Sequence, residues 1–538
     1  MKSSRIRDTR YLLPDNLTKK HFSDTLKSSF IVKQTDSSSE KISILESFDW
    51  GLYKKNLLAV RYENQSISLW DADNLFDSEL AQKIDDIDAS SRFWWDFPDC
   101  EAKETLTPIL NLRSLSNIFK GILKTEQLNL QGDDGKILVF CQLISIYKPE
   151  QPRTPLMRQI KITPVTGYTK ENDQVIALLK ELGAFEASLP PLDSLLGAIG
   201  IAAQPYTVKP EIDIPAQMPA RSAVSSIIAV MIKKQRLTED GVIKDIDTEF
   251  LHHYRVAIRM VRAAIAQLKV VFPEQDVPIL KQRFGDLARK TNKLRDLDVF
   301  ILDKERYMNL LPQSMRNDLT PMFDDFQSSR QAEAKRISRW IASKTYHNEM
   351  GDLQALFNNG YSAMETLWSE KPSIDLAINK IQKTYKKIYK AATEISHTTP
   401  DEAIHKIRID CKKLRYLLYF FASQFDKNKI KVVAKHLKKL QDKLGIFNDL
   451  TVQGDFLKNY LYQLEHKPKK DIMLIASVGG LISNLYTMQI QERDKCINEL
   501  AVFSNNENRQ LFKETFIDSS KIQNSVINQE VKVQGKVQ

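Results

Sequence analysis

Two stretches of this chain of 538 residues repeat one pattern at a constant separation. The first stretch begins at His252 and the second at His405, so the separation is 405 − 252 = 153 residues. An Asp-Leu pair follows each stretch, at Asp296 and at Asp449, and 449 − 296 is again 153. Blocks that keep one register across intervening sequence indicate an internal duplication. The sequence therefore predicts two copies of a unit of about 150 residues, related by a pseudo-two-fold arrangement.

Each copy carries a row of basic residues at helical spacing. The members occupy positions i, i+3, i+7 and i+10, namely His252, Arg255, Arg259 and Arg262 in the first copy and His405, Arg408, Lys412 and Arg415 in the second. That spacing places the members of a row on one face of a helix. A single basic row is usually a solvated face, but exposed charges contribute little to stability and have no need to stay in step between copies. Two matched rows facing each other would repel, so they predict a site for a polyanion.

The composition is that of a soluble folded protein. Hydrophobic residues make up 42% and charged residues 27% of the chain, which argues against a disordered or a membrane protein. The net charge of +10 is mild, because 78 basic residues face 68 acidic ones. The four scattered cysteines predict neither a zinc site nor a disulfide framework. The N-terminus lacks the apolar stretch of a signal peptide, and the apolar run Ile472–Ser483 is shorter than a bilayer span, so we predict a cytoplasmic protein without a membrane partner.

The chain is too long for one ordinary core, since domains split beyond roughly 250–300 residues. Apolar runs at Leu57–Tyr62 and Ile67–Trp70 flank a polar turn and predict antiparallel strands. The Asp-Gly pair that ends at Gly135 predicts a second hairpin, in which Leu128 and Leu130 face Ile137 and Val139.

Beyond residue 220, apolar residues recur at helical spacing and predict a helical bundle. The six prolines between 186 and 220 predict an interdomain connection. We therefore predict a multidomain α+β protein with an antiparallel β domain at 1–185, a Pro-rich linker at 186–215, an all-α duplicated region at 216–518 with repeats at about 216–365 and 366–518, and a flexible tail at 519–538.

The duplicated stretches resemble the hallmark of the CHAD family, the conserved histidine α-helical domain. That hallmark is a helix with the pattern His-x-x-Arg-Val-x-x-Arg-x-x-Arg, present twice. The block Thr291–Val299 is similar to the family's Arg-Asp-Leu-Asp-Val block, and Leu437–Gly445 precedes its counterpart in the second copy. The resemblance implies two four-helix units around a basic channel that binds inorganic polyphosphate without catalysis. Met260 stands where the family often has another Arg, and Asn448 replaces the Arg of the first copy. One of the two repeats is therefore expected to bind the polyanion less strongly.

The rows and the resemblance together predict a polyphosphate-binding set. It comprises His252, Arg255, Arg259, Arg262, Lys293, Arg295, His405, Arg408, Lys412, Lys413, Arg415, Lys439 and Lys443. Asp296 and Asp449 are predicted to orient the arginines rather than to act as acid or base, because nothing nucleophilic accompanies them. No catalytic residue, metal or cofactor is predicted. The partner is inorganic polyphosphate or another polyanion, which suggests an association with polyphosphate granules.

Two alternatives stay open for the histidines of the rows. His252 and His405 either donate to phosphate, more strongly once protonated below about pH 6.5, or are buried donors to a neighbouring helix. Nucleic acid is a competing ligand for the same surface. Single-strand binders interleave aromatic residues with cations, and only Tyr254 and Tyr416 lie near the rows. Nucleic acid therefore ranks below polyphosphate.

The first 185 residues resemble, in degenerate form, the CYTH or triphosphate-tunnel domains that often precede CHAD domains. The segments Phe48–Arg61 and Asp133–Lys136 are similar to hairpins of that family. The family's Glu-x-Glu-x-Lys falls near Ile6–Arg10, where the first glutamate is absent. The resemblance suggests an anion site at Arg10, Arg61, Lys136, Arg158 and Lys161. A Mg²⁺-dependent triphosphatase or cyclase is the alternative function, and the missing carboxylate argues against it.

Overall fold

The structure is a computed structural model that describes residues 9–77, 79–186, 189–358, 360–361, 366–466 and 471–516. The chain divides into two compact units, with the division between Thr207 and Val208. The predicted tail, 519–538, and the residues 6–8 of the tunnel motif lie outside the described residues.

The N-terminal unit is built on one antiparallel sheet, as predicted. Its described strands are β1 Thr9–Leu12, β2 Ile31–Glu46, β3 Leu57–Tyr62, β4 Ile67–Asp71, β5 Gln82–Ile84, β6 Ser116–Gln131, β7 Ile137–Lys148 and β8 Gln151–Pro164. Their order in the sheet is β1-β8-β7-β6-β2-β3-β4-β5. The predicted hairpins are confirmed: β3 pairs with β4 across the polar turn, and Leu130 lies opposite Val139 in the β6–β7 hairpin. Among the described residues no pairing joins β1 to β5, so strand pairing does not close this sheet into a barrel.

Helices cover parts of this sheet because its strands bury apolar side chains on both faces. They are α1 Lys19–Lys27, α2 Glu101–Leu110, α3 Thr169–Glu181 and α4 Pro191–Ala198. Leu26 of α1 and Leu179 of α3 pack on one cluster, whereas Leu106 of α2 packs on another. Leu195 of α4 packs with Trp70 in a third cluster.

The Pro-rich segment 186–215 is less uniform than the linker predicted for it. Its first half contains α4, whose Leu192 and Leu195 are buried in the N-terminal unit. Its last residues belong to the C-terminal unit, where the Ile214 amide donates to Ser423 Oγ at 3.0 Å and the Tyr419 hydroxyl donates to the Pro210 carbonyl at 2.6 Å. Proline breaks regular structure inside elements, but it starts a helix well, as Pro191 does at the first turn of α4.

The C-terminal unit is helical, as predicted. Its described helices are α5 Ala220–Arg236, α6 Glu239–Ile243, α7 Thr248–Gln267, α8 Asp276–Lys290, α9 Asn292–Leu302, α10 Lys304–Asn309, α11 Gln313–Arg316, α12 Thr320–Ile341, α13 Lys344–Asn358, α14 Ser373–Glu394, α15 Asp401–Phe420, α16 Lys427–Glu465, α17 Ile472–Phe503 and α18 Asn506–Phe516. The two copies share a core, in which Phe300 of α9 stacks on Phe456 of α16 with ring centroids 4.4 Å apart. Their stability is therefore coupled.

The duplication is visible in the backbone at the first helix of each copy. The Ala220 amide donates to the Lys371 carbonyl at 2.8 Å, and the Ser373 amide donates to the Met218 carbonyl at 2.8 Å. The two donors, Ala220 and Ser373, are 153 residues apart, and so are the two acceptors, Met218 and Lys371. Each hydrogen bond is therefore the counterpart of the other in the second copy. Pro219 and Pro372, which precede α5 and α14, form the bridge between these bonds. This reciprocity is what a pseudo-two-fold axis produces.

Helix α17 corrects one argument made from the sequence. The run Ile472–Ser483 is only the start of a helix of 32 residues, which is long and apolar enough to cross a membrane by length and composition. The same test is passed by core helices of soluble proteins. Here Leu474, Val478 and Leu481 are buried in the core shared with α16. The length of the apolar run therefore does not exclude a membrane span, and the absence of a membrane partner stays a prediction.

Candidate functional site

The first basic row lies on α7, as the spacing predicted. Asp247 caps this helix by accepting from the amides of Glu249 at 3.0 Å and Phe250 at 3.2 Å. The opposite face, which includes Tyr254 and Ile258, is buried. The amphipathic pattern therefore directs the cations away from the core of the first copy.

Arg255 is the most constrained cation of the first row. Its guanidinium donates to the Ala288 carbonyl at 3.1 Å and to Thr291 Oγ1 at 2.7 Å. Thr291 is fully buried at the junction of α8 and α9, so the break between these helices holds an acceptor for Arg255. Burial, and then the nearby charge of Arg259, lower the pKa of Arg255 to about 10. Burial and the neighbouring positive charge therefore destabilise the charged form of Arg255.

Arg295 on α9 extends the first row. Burial lowers its pKa, the carboxylates of Glu249 and Asp298 act in the opposite direction, and the charge of Arg259 lowers it further. Asp298 itself is bound by Arg330, whose Nε donates to Asp298 Oδ1 at 2.9 Å. This buried pair fixes the turn of α9 that presents Arg295.

The second basic row lies on α15. Arg408 pairs with Asp449 of α16 at 3.3 Å, and its side chain is 14% exposed. Burial lowers the pKa of Lys412 to about 8, with further lowering by Arg408 and Arg259. Arg415 lies one turn further along α15 and also lowers the pKa of Lys412.

The two rows come together because α7 and α15 pack against each other. Arg259 from the first row lowers the pKa of both Arg408 and Lys412 from the second. The gathered cations, here called the cation cluster, are Arg255, Arg259, Arg262, Arg295, Arg408, Lys412 and Arg415.

The arginines of the cation cluster have unused hydrogen-bonding capacity. Arg255 Nε, Arg295 Nη1, Arg408 Nε and Arg415 Nε are buried and have no hydrogen-bond partner among the described residues. A buried charged donor without an acceptor costs about 1–3 kcal/mol or more. An anion that accepts from these nitrogens would recover that free energy and relieve the mutual repulsion of the cations.

Four lysines of the predicted set do not join the cation cluster. Lys293 pairs with Glu333 at 3.3 Å, Lys413 with Asp410 at 2.7 Å, and Lys439 with Glu499 at 3.3 Å. Lys443 lies near Cys496 of α17. Burial raises the pKa of the Cys496 thiol, and the charge of Lys443 opposes that rise. Successive helical residues point about 100° apart, so a lysine next to a cluster residue faces a different surface, as Lys413 does beside Lys412.

Two lysines that the sequence analysis missed lie beside the cation cluster. Burial lowers the pKa of Lys209, and the charges of Arg415 and Lys438 lower it further. Lys438 could have been found, because it is 11 residues before Asp449 and shares its face of α16. Lys209 belongs to no repeated block, so no sequence signal indicated it.

The histidines and aspartates of the repeats are placed as follows. His405 is exposed, which rules out the buried alternative for this residue, whereas His252 is half-buried beside His253 with ring centroids 5.7 Å apart. Asp449 accepts a hydrogen bond from Arg408, and the charge of Asp296 raises the pKa of Arg255 against the effect of burial. Both aspartates therefore lie next to the arginines that they were predicted to orient.

The predicted tunnel cations do not form one site. Arg10 and Lys161 are cross-strand neighbours, and Lys161 pairs with Asp77 at 2.6 Å. Arg158 lies on the other face of β8, where it donates to the Leu17 carbonyl at 2.6 Å. Arg61 donates to the carbonyls of the loop that follows β5, at Ala89 and Ser91, whereas Lys136 in the β6–β7 turn pairs with Asp134 at 2.8 Å. The structure therefore does not bring the five residues together: strand alternation places Arg158 and Lys161 on opposite faces of β8, while Arg61 lies on β3 and Lys136 in a turn.

The residues present also fit a catalytic Mg²⁺ poorly. Among the described residues no group of three or more His, Cys, Asp or Glu side chains could hold a metal ion. A cleft of about 340 Å³ on the sheet contains Asp36, Glu40 and Asp85 among many hydroxyl and amide side chains.

Comparisons with known proteins agree with the helical unit. The sequence model of the CHAD domain matches residues 226–458. Two uncharacterized proteins from two strains of Mycobacterium tuberculosis are 25% identical over 302 residues, and the match covers 56% of this chain and 56% of each relative. The chain thus spans about half the length of these curated relatives.

Three solved structures are also similar. The CHAD domain of the plant Ricinus communis is 22% identical with a TM-score of 0.47, covering 55% of this chain and 95% of its own. PptA from Streptomyces chartreusis is 10% identical with a TM-score of 0.41, covering 52% and 99%. A putative adenylyl cyclase from Hippeastrum with a dominant triphosphatase activity is 11% identical with a TM-score of 0.23, covering 36% and 96%. On the match of the family model to the duplicated helical region, this chain contains a CHAD domain at residues 226–458.

Proposed function

We propose that this protein binds inorganic polyphosphate, or a closely similar polyanion, at the cation cluster and without catalysis. The observation that carries the proposal is the set of four buried guanidinium nitrogens without partners among the described residues. They belong to both copies, so one extended anion that bridges the rows would satisfy them together.

The chemistry of the side chains fits a chain of phosphates. Arginine presents a planar fork that donates two hydrogen bonds to one phosphate, whereas lysine supplies a compact charge. Arg255 and Arg408 are preorganised by Thr291 and Asp449, so little side-chain entropy is lost on binding. Lys412 lies within electrostatic range of both Arg408 and Arg259. Preorganised cations of the cluster would therefore contact the evenly spaced phosphates of one polyphosphate chain.

The test is a titration of the full chain with polyphosphate. The cluster variant carries Arg255→Gln, Arg259→Gln, Arg408→Gln and Arg415→Gln. The matched control removes three cations outside the cluster, by Lys293→Gln, Lys413→Gln and Lys439→Gln. We expect the cluster variant to lose binding while circular dichroism shows that it is folded, and the control to bind like the unchanged protein. Unchanged binding by the folded cluster variant would refute the proposal.

A competition titration separates polyphosphate from nucleic acid. The aromatic residues next to the rows are poorly placed for stacking on bases, because Tyr254 is fully buried and Tyr416 is 6% exposed. We therefore expect polyphosphate to displace labelled single-stranded DNA or RNA at a lower concentration of anionic groups than is needed for the reverse. Equal or stronger binding of nucleic acid would assign the site to nucleic acid instead.

A further inference from the structure

A second cleft, of about 220 Å³, lies between α14 and α18. Its floor is formed by Tyr385 and Phe512, whose rings stack with centroids 3.6 Å apart and planes 8° from parallel. Tyr389 and Gln382 form its walls. An aromatic floor, an aromatic wall and a side-chain amide suit a planar ring that carries polar edges.

The floor of this cleft holds a polar group that no described residue satisfies. Tyr385 is 7% exposed, and its hydroxyl is buried without a hydrogen-bond partner among the described residues. Burial raises the pKa of Tyr385 to about 12, so the hydroxyl keeps its proton at neutral pH and remains a donor. An unsatisfied buried hydroxyl is unfavourable, and an acceptor on a bound ring would remove that cost.

The rim of the cleft is cationic. Lys386, Arg509 and Lys513 are exposed at its edge, and none of the three pairs with a carboxylate of the described chain. Arg509 lies over the ring of Tyr389 with its Cζ atom 5.3 Å from the centroid. Three cations around an aromatic cleft favour a ligand that joins a planar ring to a negative group.

The duplication indicates that this chemistry is not required by the framework. The counterparts of Tyr385 and Tyr389, 153 residues earlier, are Ile232 and Arg236. Ile232 is buried in the core of the first copy, and Arg236 pairs with Glu239 at 3.1 Å. The first copy thus closes its equivalent surface with apolar packing and an ion pair, whereas the second copy leaves a cleft.

We propose that the cleft between α14 and α18 binds a nucleotide, with the base against Tyr389 and above Phe512, an acceptor of the base on the Tyr385 hydroxyl, and the phosphate on Lys386, Arg509 and Lys513. Polyphosphate alone does not account for this cleft, since it has no ring to cover the aromatic surface. The proposal is independent of ligand binding at the cation cluster.

The experiment is calorimetric titration of the full chain with AMP, which is too short to bridge the cation cluster, and with adenosine and inorganic phosphate as separate probes. We expect AMP to bind saturably and more tightly than either part. Tyr389→Ala should weaken AMP binding roughly ten- to a hundredfold, because stacking of a base on an aromatic side chain is lost. The rim variant Arg509→Gln with Lys513→Gln, which changes only exposed residues, should also weaken it, while the cluster variant should bind AMP normally.

Three results would overturn this proposal. One is the absence of saturable AMP binding at concentrations up to about 1 mM. Another is binding of inorganic phosphate as tight as that of AMP, which would leave the aromatic cleft without a role. The third is an AMP affinity that falls in the cluster variant and stays unchanged in the folded rim variant.

Discussion

In the first copy of the repeat, Arg255 donates to a threonine and a carbonyl at the break between α8 and α9, whereas in the second copy Arg408 pairs with Asp449 on the unbroken helix α16. The residue that corresponds to Thr291 in the second copy is Leu444, and it is fully buried. Both copies thus hold the same arginine by different means. The framework is duplicated, but the acceptors that position its cations have diverged.

The cations themselves have diverged in the same direction. Arg259 corresponds to Lys412 and Arg295 to the buried Asn448, so the first copy supplies more guanidinium groups than the second. Guanidinium groups donate two hydrogen bonds to one phosphate, and an ammonium group does not. We therefore expect the first copy to contribute most of the affinity for polyphosphate and the second copy most of its pH dependence.

The largest expected effect tests the framework that the copies share. Phe300→Ala should lower the free energy of unfolding by about 3–5 kcal/mol, because it removes a buried ring between the copies. Denaturant unfolding followed by circular dichroism should show one transition for both copies. The control Val452→Ala changes an exposed side chain of α16 and should leave stability unchanged. Two separate transitions, with only one shifted by Phe300→Ala, would show that the copies are independent.

The second prediction tests whether the first copy contributes more to the affinity for polyphosphate than the second copy. Arg295→Asn gives the first copy the residue type of the second, and it should weaken polyphosphate binding about ten- to a hundredfold, the usual worth of a hydrogen bond to a charged group. The control Lys293→Gln lies two residues away in the pair with Glu333 and should bind normally. Equal affinities of the two variants would mean that the first copy does not dominate.

The pH dependence of stability and of polyphosphate binding tests the contribution of Lys412 in the second copy. Lys412 has a pKa near 8 in the folded protein, against an ordinary value of 10.5, through burial and the charges of Arg408, Arg259 and Arg415, with Asp449 opposing them. Without ligand, the unfolded chain binds the proton more strongly, so the free energy of unfolding should rise as the pH increases from about 8 to about 10. Polyphosphate prefers the charged form, so its affinity should fall above pH 8, by up to about tenfold per unit.

The variant Lys412→Arg tests this assignment, because arginine stays charged throughout that range. Its affinity for polyphosphate should change less between pH 7 and pH 9 than that of the unchanged protein. A pH profile identical in the two proteins would assign the titration to another group.

The smallest expected effect concerns preorganisation. Thr291→Val removes one of the two acceptors of Arg255 and keeps the shape of the residue 291 side chain, so polyphosphate binding should weaken by about two- to tenfold, as for one ordinary hydrogen bond. Thr384→Val on α14 is the control, since the Thr384 hydroxyl donates to the Lys380 carbonyl of its own helix. No difference between these variants would mean that Thr291 does not position Arg255 for the ligand.

The sequence predicts the duplication, the helices that carry the rows and the hairpin between β3 and β4, because these depend on local periodicity. The spacing from Asp449 is enough to place Lys438 on the same face of α16. The partners of these lysines are not predictable in this way: tertiary packing decides that Lys438 lies near Lys209 and that the adjacent Lys439 pairs with Glu499. The tunnel residues are different: Arg158 and Lys161 are three residues apart in β8, so strand alternation alone places them on opposite faces.

The most direct measurement is the affinity for polyphosphate across a salt series, for the unchanged protein, the cluster variant and the control that lacks three outlying lysines. By analogy with nucleic acids, each phosphate contact contributes a slope of about −0.7 to −0.9 to the dependence of log affinity on log salt. We expect a steep slope for the unchanged protein, the same slope for the control, and a slope that is shallower by about three to four for any residual binding of the cluster variant. Equal slopes in the cluster variant and the control would contradict the account, since the ligand would then lie elsewhere.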